Sequence, residues 1–450
     1  MKRRDFIIAS ASVVGAVPIL ARGQSIPCPP SVLNVIGGQS VTTACGPSSV
    51  PGWFANQAER TWIQLAGGSG MSQAWQRGSR IFDVKPNPLP PGNDGINAIH
   101  NNWTGGCANQ DLGEYYLPAQ GGHEGYFGNE IYALGLREET PTWRRIWGPT
   151  PNSQILTTNL GYNPPNTSHA DGNPRPTHGW FYQICDANGR IWHIGAAYAN
   201  PSGDWGTTLY SIDRNNLAAG WTFHGRIWTS IPGGQPGSTF GFQSGPCAYD
   251  RKRNVMWVGA EFATNDAVAQ IDLASALAAG PRSQSTGPAV AGTQISDAYY
   301  TELNNAWSVV LHDRASPVWV IGKTSSSRLW ILDPSNPSAG FRERTTSGTG
   351  SWSAGCGAAY VAAHNRIYVG GTETGGTVRY LTAPADPLTG TWTWGTLTNG
   401  SGSATPAPGY QYNGTFSKFQ VIEDMGNGHA AIVLMTNVEG ATFVYKLPSS

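Results

Sequence analysis

Charge is scarce in this chain: Asp, Glu, Lys and Arg make up 12% of its 450 residues, and 28 basic residues balance 28 acidic ones. No basic stripe follows the first few residues, which argues against nucleic acid as a main partner, because phosphate backbones are held by clustered Lys and Arg. Beyond the N-terminus, no apolar pattern of helical period persists for even about ten residues, so long helices are not expected. The six cysteines form no Cys-x-x-Cys and no Cys/His pair at short spacing, so they are not expected to bind a metal. No Gly-x-Ser-x-Gly elbow marks a serine nucleophile.

Turn formers and tryptophan, by contrast, are plentiful: 58 Gly, 32 Pro and 18 Trp. They fit many short strands joined by tight turns, with residues such as Trp257, Trp319 and Trp330 packing between sheets. One phrase recurs: an apolar strand, a polar turn, then an Ile/Val/Trp strand that in most copies ends at Gly. Gln183-Ile184-Cys185-Asp186 precedes Arg190–Gly195, Ala248-Tyr249-Asp250 precedes Val255–Gly259, and Leu311-His312-Asp313 precedes Val318–Gly322. Ala359-Tyr360-Val361 with Arg366–Gly370 and Ile422-Glu423-Asp424 with Ala431–Leu434 follow, and a looser copy runs from Ile96 to Leu117. Starts roughly 50–75 residues apart indicate a radial array of four-stranded sheets around a central funnel.

The two ends support that reading. Residues 1–23 read as a signal peptide, with Lys2-Arg3-Arg4-Asp5-Phe6-Ile7 in twin-arginine-like order before an apolar run to Leu20. That run of about 15 residues is short for a membrane span, though an uncleaved anchor is the alternative. Periplasmic or secreted localisation follows, with no membrane span after signal removal and a monomer expected. Residues 24–58 read as an irregular arm and 59–450 as the propeller. The last repeat has three strands and then stops, while Arg60–Leu65 is a strand without a nearby partner. Pairing the two closes the ring and removes two open edges. The fold class expected is all-β, a six-bladed β-propeller closed by an N-terminal strand. Seven blades is the rival if 148–177 or 276–303 hides another, although the Pro- and Asn-rich 148–177 reads as a long loop. Inner strands are expected near Asn97, His178, Gly245, Asn305, Ala354 and Thr415.

Gly121-Gly122-His123, then Gly128 through Leu134 and Trp143, resembles the Kelch repeat, as does Gly370-Gly371 through Tyr380 to Trp392. Elsewhere the double glycine is reduced to Gly195, Gly259 and Gly322. The resemblance implies a divergent Kelch-like propeller from about Arg60 onward. It implies no single activity, because Kelch propellers range from binding modules to oxidases and lyases.

Strand order sorts residues by face. Starts of inner strands and loops between second and third strands share one mouth, which selects His100, His123, His178, Tyr198, Gln243, Lys323, Trp352, Tyr412 and Lys418. His312, His364, Cys107 and Cys185 fall toward the other face. Histidines from adjacent blades at one mouth could be a structural Kelch feature, could hold a divalent metal, or could move protons; no cofactor is required. By analogy with propeller lyases of uronic-acid polymers, His100, His123, His178, Tyr198 and Tyr412 would serve as acid and base in β-elimination. Lys323 or Lys418 would meet the substrate carboxylate, while Trp205, Gln243 and Trp352 would bind sugar. An acidic polysaccharide or oligosaccharide is the partner this implies. A non-catalytic glycan- or protein-binding propeller is the first alternative. A copper-radical oxidase is the second, weakened because no Tyr stands next to a His. Sialidase boxes are lacking, apart from a faint trace between Asp386 and Trp392. Among the cysteines, Cys28–Cys45 would close about 18 residues, worth roughly 3 kcal/mol on the loop-entropy account, and Cys107–Cys185 would bridge two blades. Cys247 and Cys356 are expected as free thiols.

Overall fold

The computed structural model describes residues 34–36, 39–41, 50–65, 80–119, 121, 125–157, 168–176, 179, 181–196, 207–227, 246–260, 267–282, 306–322, 328–336, 339–352, 355–371, 376–406, 414–436 and 438–449. Each recurring apolar phrase becomes an antiparallel hairpin, and the hairpins extend into six sheets arranged as blades. Blade one pairs Cys107–Asn109, Glu114–Pro118, Ile131–Gly135 and Trp143–Trp147; blade two pairs Gln183–Cys185, Arg190–Ala196, Thr207–Asp213 and Thr222–Arg226. Blade three shows Cys247–Asp250, Val255–Ala260 and Ala267–Asp272, and blade four runs from Trp307–Leu311 to Arg342–Arg344. Blade five begins at Gly357–Val361 and carries Thr346–Ser347 as an extra parallel edge strand. The inner strands touch in ring order and the sixth meets the first. The protein is a six-bladed β-propeller.

The ring closes as the sequence suggests. Phe419–Ile422, Ala431–Met435 and Thr442–Lys446 take Thr61–Gln64 as their outermost strand, with Val444 opposite Ile63 and Tyr445 opposite Trp62. Trp62 Nε1 also donates to Gly376 O of blade five at 2.6 Å. A one-turn helix, Gly52–Ala55, reinforces the seam. Lys446 Nζ donates to the carbonyls of Phe54, Ala55 and Gln57, and Trp53 Nε1 donates to Glu138 O of blade one. Within the stretch expected to be an irregular arm, Asn34–Ile36 and Gln39–Val41 also form a hairpin.

Blade faces pack through aromatic rings. Trp257 and Trp319 stack at 5.7 Å between blades three and four, and Trp352 lies 5.1 Å from Trp307 and 5.3 Å from Trp394. The glycine that ends the copies has a steric cause in blade four. A Cβ on Gly322 would run into the Trp307 indole, so that paired position tolerates no side chain.

Two expectations are corrected here. The inner strand of blade one begins at Cys107, not near Asn97, because Gly95–Asn101 forms helical turns. Cys107 and Cys185 are both free thiols. They stand on adjacent inner strands in one packed cluster at the seam between blades one and two, and blade packing rather than a covalent bridge joins that seam. Cys28 and Cys45 lie outside the described residues.

Candidate functional site

The inner strands enclose a central chamber of about 160 Å³. Its wall includes Gln183, Ser308 and Gln420 together with Cys107, Cys185 and Cys247. Gln183 is buried and its Nε2 lies 3.2 Å from His193 Nδ1, while its Oε1 has no hydrogen-bond partner; buried Ser308 Oγ has none either. A buried polar atom left unpaired costs roughly 1–3 kcal/mol, so these two atoms are a cost the fold carries beside the chamber. The volume holds roughly ten waters and falls below the roughly 300–1,000 Å³ of pockets for drug-sized ligands. The chamber itself has room for a single small solute.

The chamber's ends differ. At the upper end, where the inner strands start, Phe181 of the blade-two approach meets Phe416 of the blade-six approach edge to face at 5.6 Å, both buried. Phe416 has φ 47°, a region bulky side chains seldom occupy. It is held there by its N–H, which with that of Thr415 donates to Gly355 O. Gly355 has φ 71°, and a Cβ on it would press against Gly414, so the turn that seats Phe416 requires glycine.

At the lower end, the turns after the inner strands carry charge. Arg251 of blade three points to Glu423 of blade six at 3.6 Å and to Asp111 of blade one at 4.0 Å, while His312 of blade four approaches Glu423 at 3.5 Å. Blades three and six stand opposite each other in a ring of six, so Arg251–Glu423 spans the pore. Pairs between partly exposed groups contribute ~0–1 kcal/mol, so this closure is weak. The turns beneath are rigid by comparison. Asn109, Asp186 and Asp250 occupy the same position in successive blades, and each Oδ1 accepts two backbone N–H groups of its own turn.

Burial keeps the cysteine thiols and the Tyr249 hydroxyl of the chamber wall protonated. It raises the Cys107 and Cys247 thiols, and it raises Cys185 well above the ordinary thiol value, with Cys107 and Asp186 adding to the effect. A protonated thiol is a poor nucleophile. The Tyr249 hydroxyl is pushed up to about 12, chiefly by burial. What the wall can do at neutral pH is exchange hydrogen bonds with a solute.

Of the residues selected from sequence, three are described and all three are structural. His100 is buried, with Nδ1 3.1 Å from Asn101 Oδ1 and Nε2 3.2 Å from Met435 O; burial, then the Lys418 charge, brings its pKa down to about 3. Lys418 is buried, donates to His100 O and to Thr104 O and Oγ1, and is lowered by burial to about 7. Trp352 is sealed among tryptophans. His123, His178, Tyr198, Trp205, Gln243, Lys323 and Tyr412 lie outside the described residues. Among the described residues no group of three His, Cys, Asp or Glu side chains could hold a metal ion. The chamber opens toward the face that the strand-order filter discarded along with His312. A signal for it was present in the repeat, since His312 and Glu423 each precede the recurring Asp and Arg251 follows it.

No family model matches this chain, and no curated protein matches it significantly. Solved structures do. A hydrazine synthase chain from Kuenenia stuttgartiensis is similar over 82% of this chain and 98% of its own, at 11% identity and a TM-score of 0.38. The Dos1 propeller matches over 79% and 71%, at 10% identity and 0.35. TolB from Acinetobacter baumannii matches over 72% and 78%, at 11% identity and 0.29. Likenesses this distant carry no argument about activity; the fold rests on the strand pairing above.

Proposed function

We propose that the protein is an exported carbohydrate-binding propeller that takes one small, uncharged or cationic, hydroxylated unit into its central chamber. The observation that carries this reading is a small central chamber of about 160 Å³ whose lining includes the polar side chains of Gln183, Ser308 and Gln420. An amide oxygen and a hydroxyl match the donors and acceptors of a sugar ring, and the Tyr249 and Tyr360 rings on the same wall offer apolar faces. Export rests on the Lys2-Arg3-Arg4 segment and the apolar run after it.

β-Elimination on a uronic-acid polymer is less well supported. It needs a base, an acid and a cation for the carboxylate, and His100 and Lys418 are committed to backbone carbonyls. Asp111, Asp186 and Glu423 outnumber Arg251 at the chamber's lower end, which disfavours an acidic guest.

A thermal-shift panel of neutral sugars, amino sugars and uronic acids tests the reading. A ligand at about a hundred times its Kd stabilises by about 2.7 kcal/mol. The expected result is an upward shift with at least one neutral or amino sugar, lost in Gln183→Leu. A panel without shifts, or a shift that survives Gln183→Leu, overturns it.

A further inference from the structure

We infer that Arg251 and Glu423 form a charge-selective gate on the chamber, one that admits small neutral and cationic solutes and holds back anions. The inference deepens the binding reading by naming how its site is reached, and its test needs no ligand. Three observations converge on it. The chamber is lined at its lower end by Asp111, Arg251, His312 and Glu423, one from each of four blades, whereas at its upper end the described lining includes Phe181, whose ring packs edge to face on Phe416. Arg251 reaches across the pore to Glu423 and Asp111 at 3.6 and 4.0 Å, too long for hydrogen bonds, and its side chain is 31% exposed. Nothing tight holds the guanidinium over the opening, so it can swing toward solvent without breaking a hydrogen-bonded pair. When it does, Glu423, Asp111 and buried Asp186 remain around the passage and give it a negative potential that draws cations and slows anions.

The chamber supplies its own reporters. Cys107, Cys185 and Cys247 line it and are in no disulfide, whereas Cys356 is a buried cysteine, also in no disulfide, that does not line it. Methanethiosulfonates form a mixed disulfide with a thiolate and release a sulfinate, so no other oxidant is needed. The experiment measures modification of each cysteine peptide by mass spectrometry at fixed pH. It uses methyl, 2-aminoethyl and 2-sulfonatoethyl methanethiosulfonate, with each rate divided by that reagent's rate on a free thiol. Comparing reagents at one thiol in one variant cancels the thiolate fraction. In the unmodified protein the chamber thiols should react about tenfold faster with the cationic reagent than with the anionic one. Arg251→Ala should speed all three reagents at these thiols by about fivefold, the rate equivalent of losing a roughly 1 kcal/mol latch, and leave Cys356 unchanged. Glu423→Gln keeps the shape of the side chain; it should speed the methyl reagent and shrink the cationic preference. Circular dichroism and the thermal midpoint confirm that both variants are folded. Equal cationic and anionic rates, or unchanged rates in both variants, contradict the gate. Acceleration in Phe416→Ala with none in Arg251→Ala places the way in at the upper end and overturns it. Because no sugar is present, failure here leaves the binding reading to its own test.

Discussion

Among the described residues, four histidines sit in the interior as neutral rings. His100 and His193 are brought down to about 3 and His169 and His224 to about 4, in each case mainly by burial. A folded-state pKa below the unfolded value near 6.5 means the unfolded chain binds protons first as the pH drops. Stability is therefore fully present above pH 6.5 and lost between there and pH 3–4. At about 1.4 kcal/mol per pH unit for each ring, four rings remove up to about 5 kcal/mol between pH 7.5 and 5.5. Urea denaturation across that range should show the loss, with a slope approaching one proton for each ring; a flat profile contradicts neutral burial. Lys418 acts on the alkaline side. Its folded pKa of about 7 lies below the ordinary lysine value of 10.5, so the unfolded state binds the extra proton and stability rises from pH 7 upward. Lys418→Met should lose that rise relative to the unmodified protein. It should also be destabilised by roughly 1–3 kcal/mol at pH 8.5, because the carbonyls of His100 and Thr104 lose a donor. Residue type and strand order selected both side chains as site candidates, but burial was not visible to them. A His or Lys reads the same in sequence whether it faces a ligand or a carbonyl three hundred residues away.

At the scale of elements, the seam between blades one and two is held by charge. Arg214 donates from Nε and Nη2 to the buried Glu114, Arg144 reaches the same carboxylate, and Tyr116 donates to it. Burial alone would raise the Glu114 carboxyl; the two guanidiniums and the Tyr116 hydroxyl outweigh it and hold it below the ordinary range. Breaking a buried pair from one side costs about 3–5 kcal/mol, so Arg214→Leu should lower the unfolding free energy by that amount. A loss under about 1 kcal/mol would show that the pair adds little. The closing strand gives a second test. Truncation through Leu65 exposes the Thr442–Lys446 edge and should produce self-association on size exclusion together with a lower midpoint. A stable monomer would contradict the closure. Most strands were legible because Ile/Val/Trp runs ending in Gly repeat, and the closing strand was legible because a three-stranded last repeat needs a fourth. The inner strand of blade one was not: Cys107-Ala108-Asn109 is three residues long without a β-branched side chain, whereas the Ile96–His100 segment that read as a strand is apolar and helical.

For the molecule as a whole, the propeller sets the geometry of function by giving the chamber two unlike ends. At one, the Phe181 and Phe416 rings meet edge to face; the other is crossed by an ion pair. The ring was readable from the period. The working end was not, because sequence assigns a residue to a mouth but does not show which mouth leads to a cavity. The central claim is that a small hydroxylated solute occupies this chamber, and its most direct test is protection of the wall. With the most stabilising sugar of the panel at saturation, methyl methanethiosulfonate modification of Cys107, Cys185 and Cys247 should slow about tenfold or more, as expected when [L] exceeds Kd tenfold. Cys356 should react at its ordinary rate. If the sugar raises the midpoint while the three chamber thiols react as fast as before, the ligand binds elsewhere and the account is contradicted.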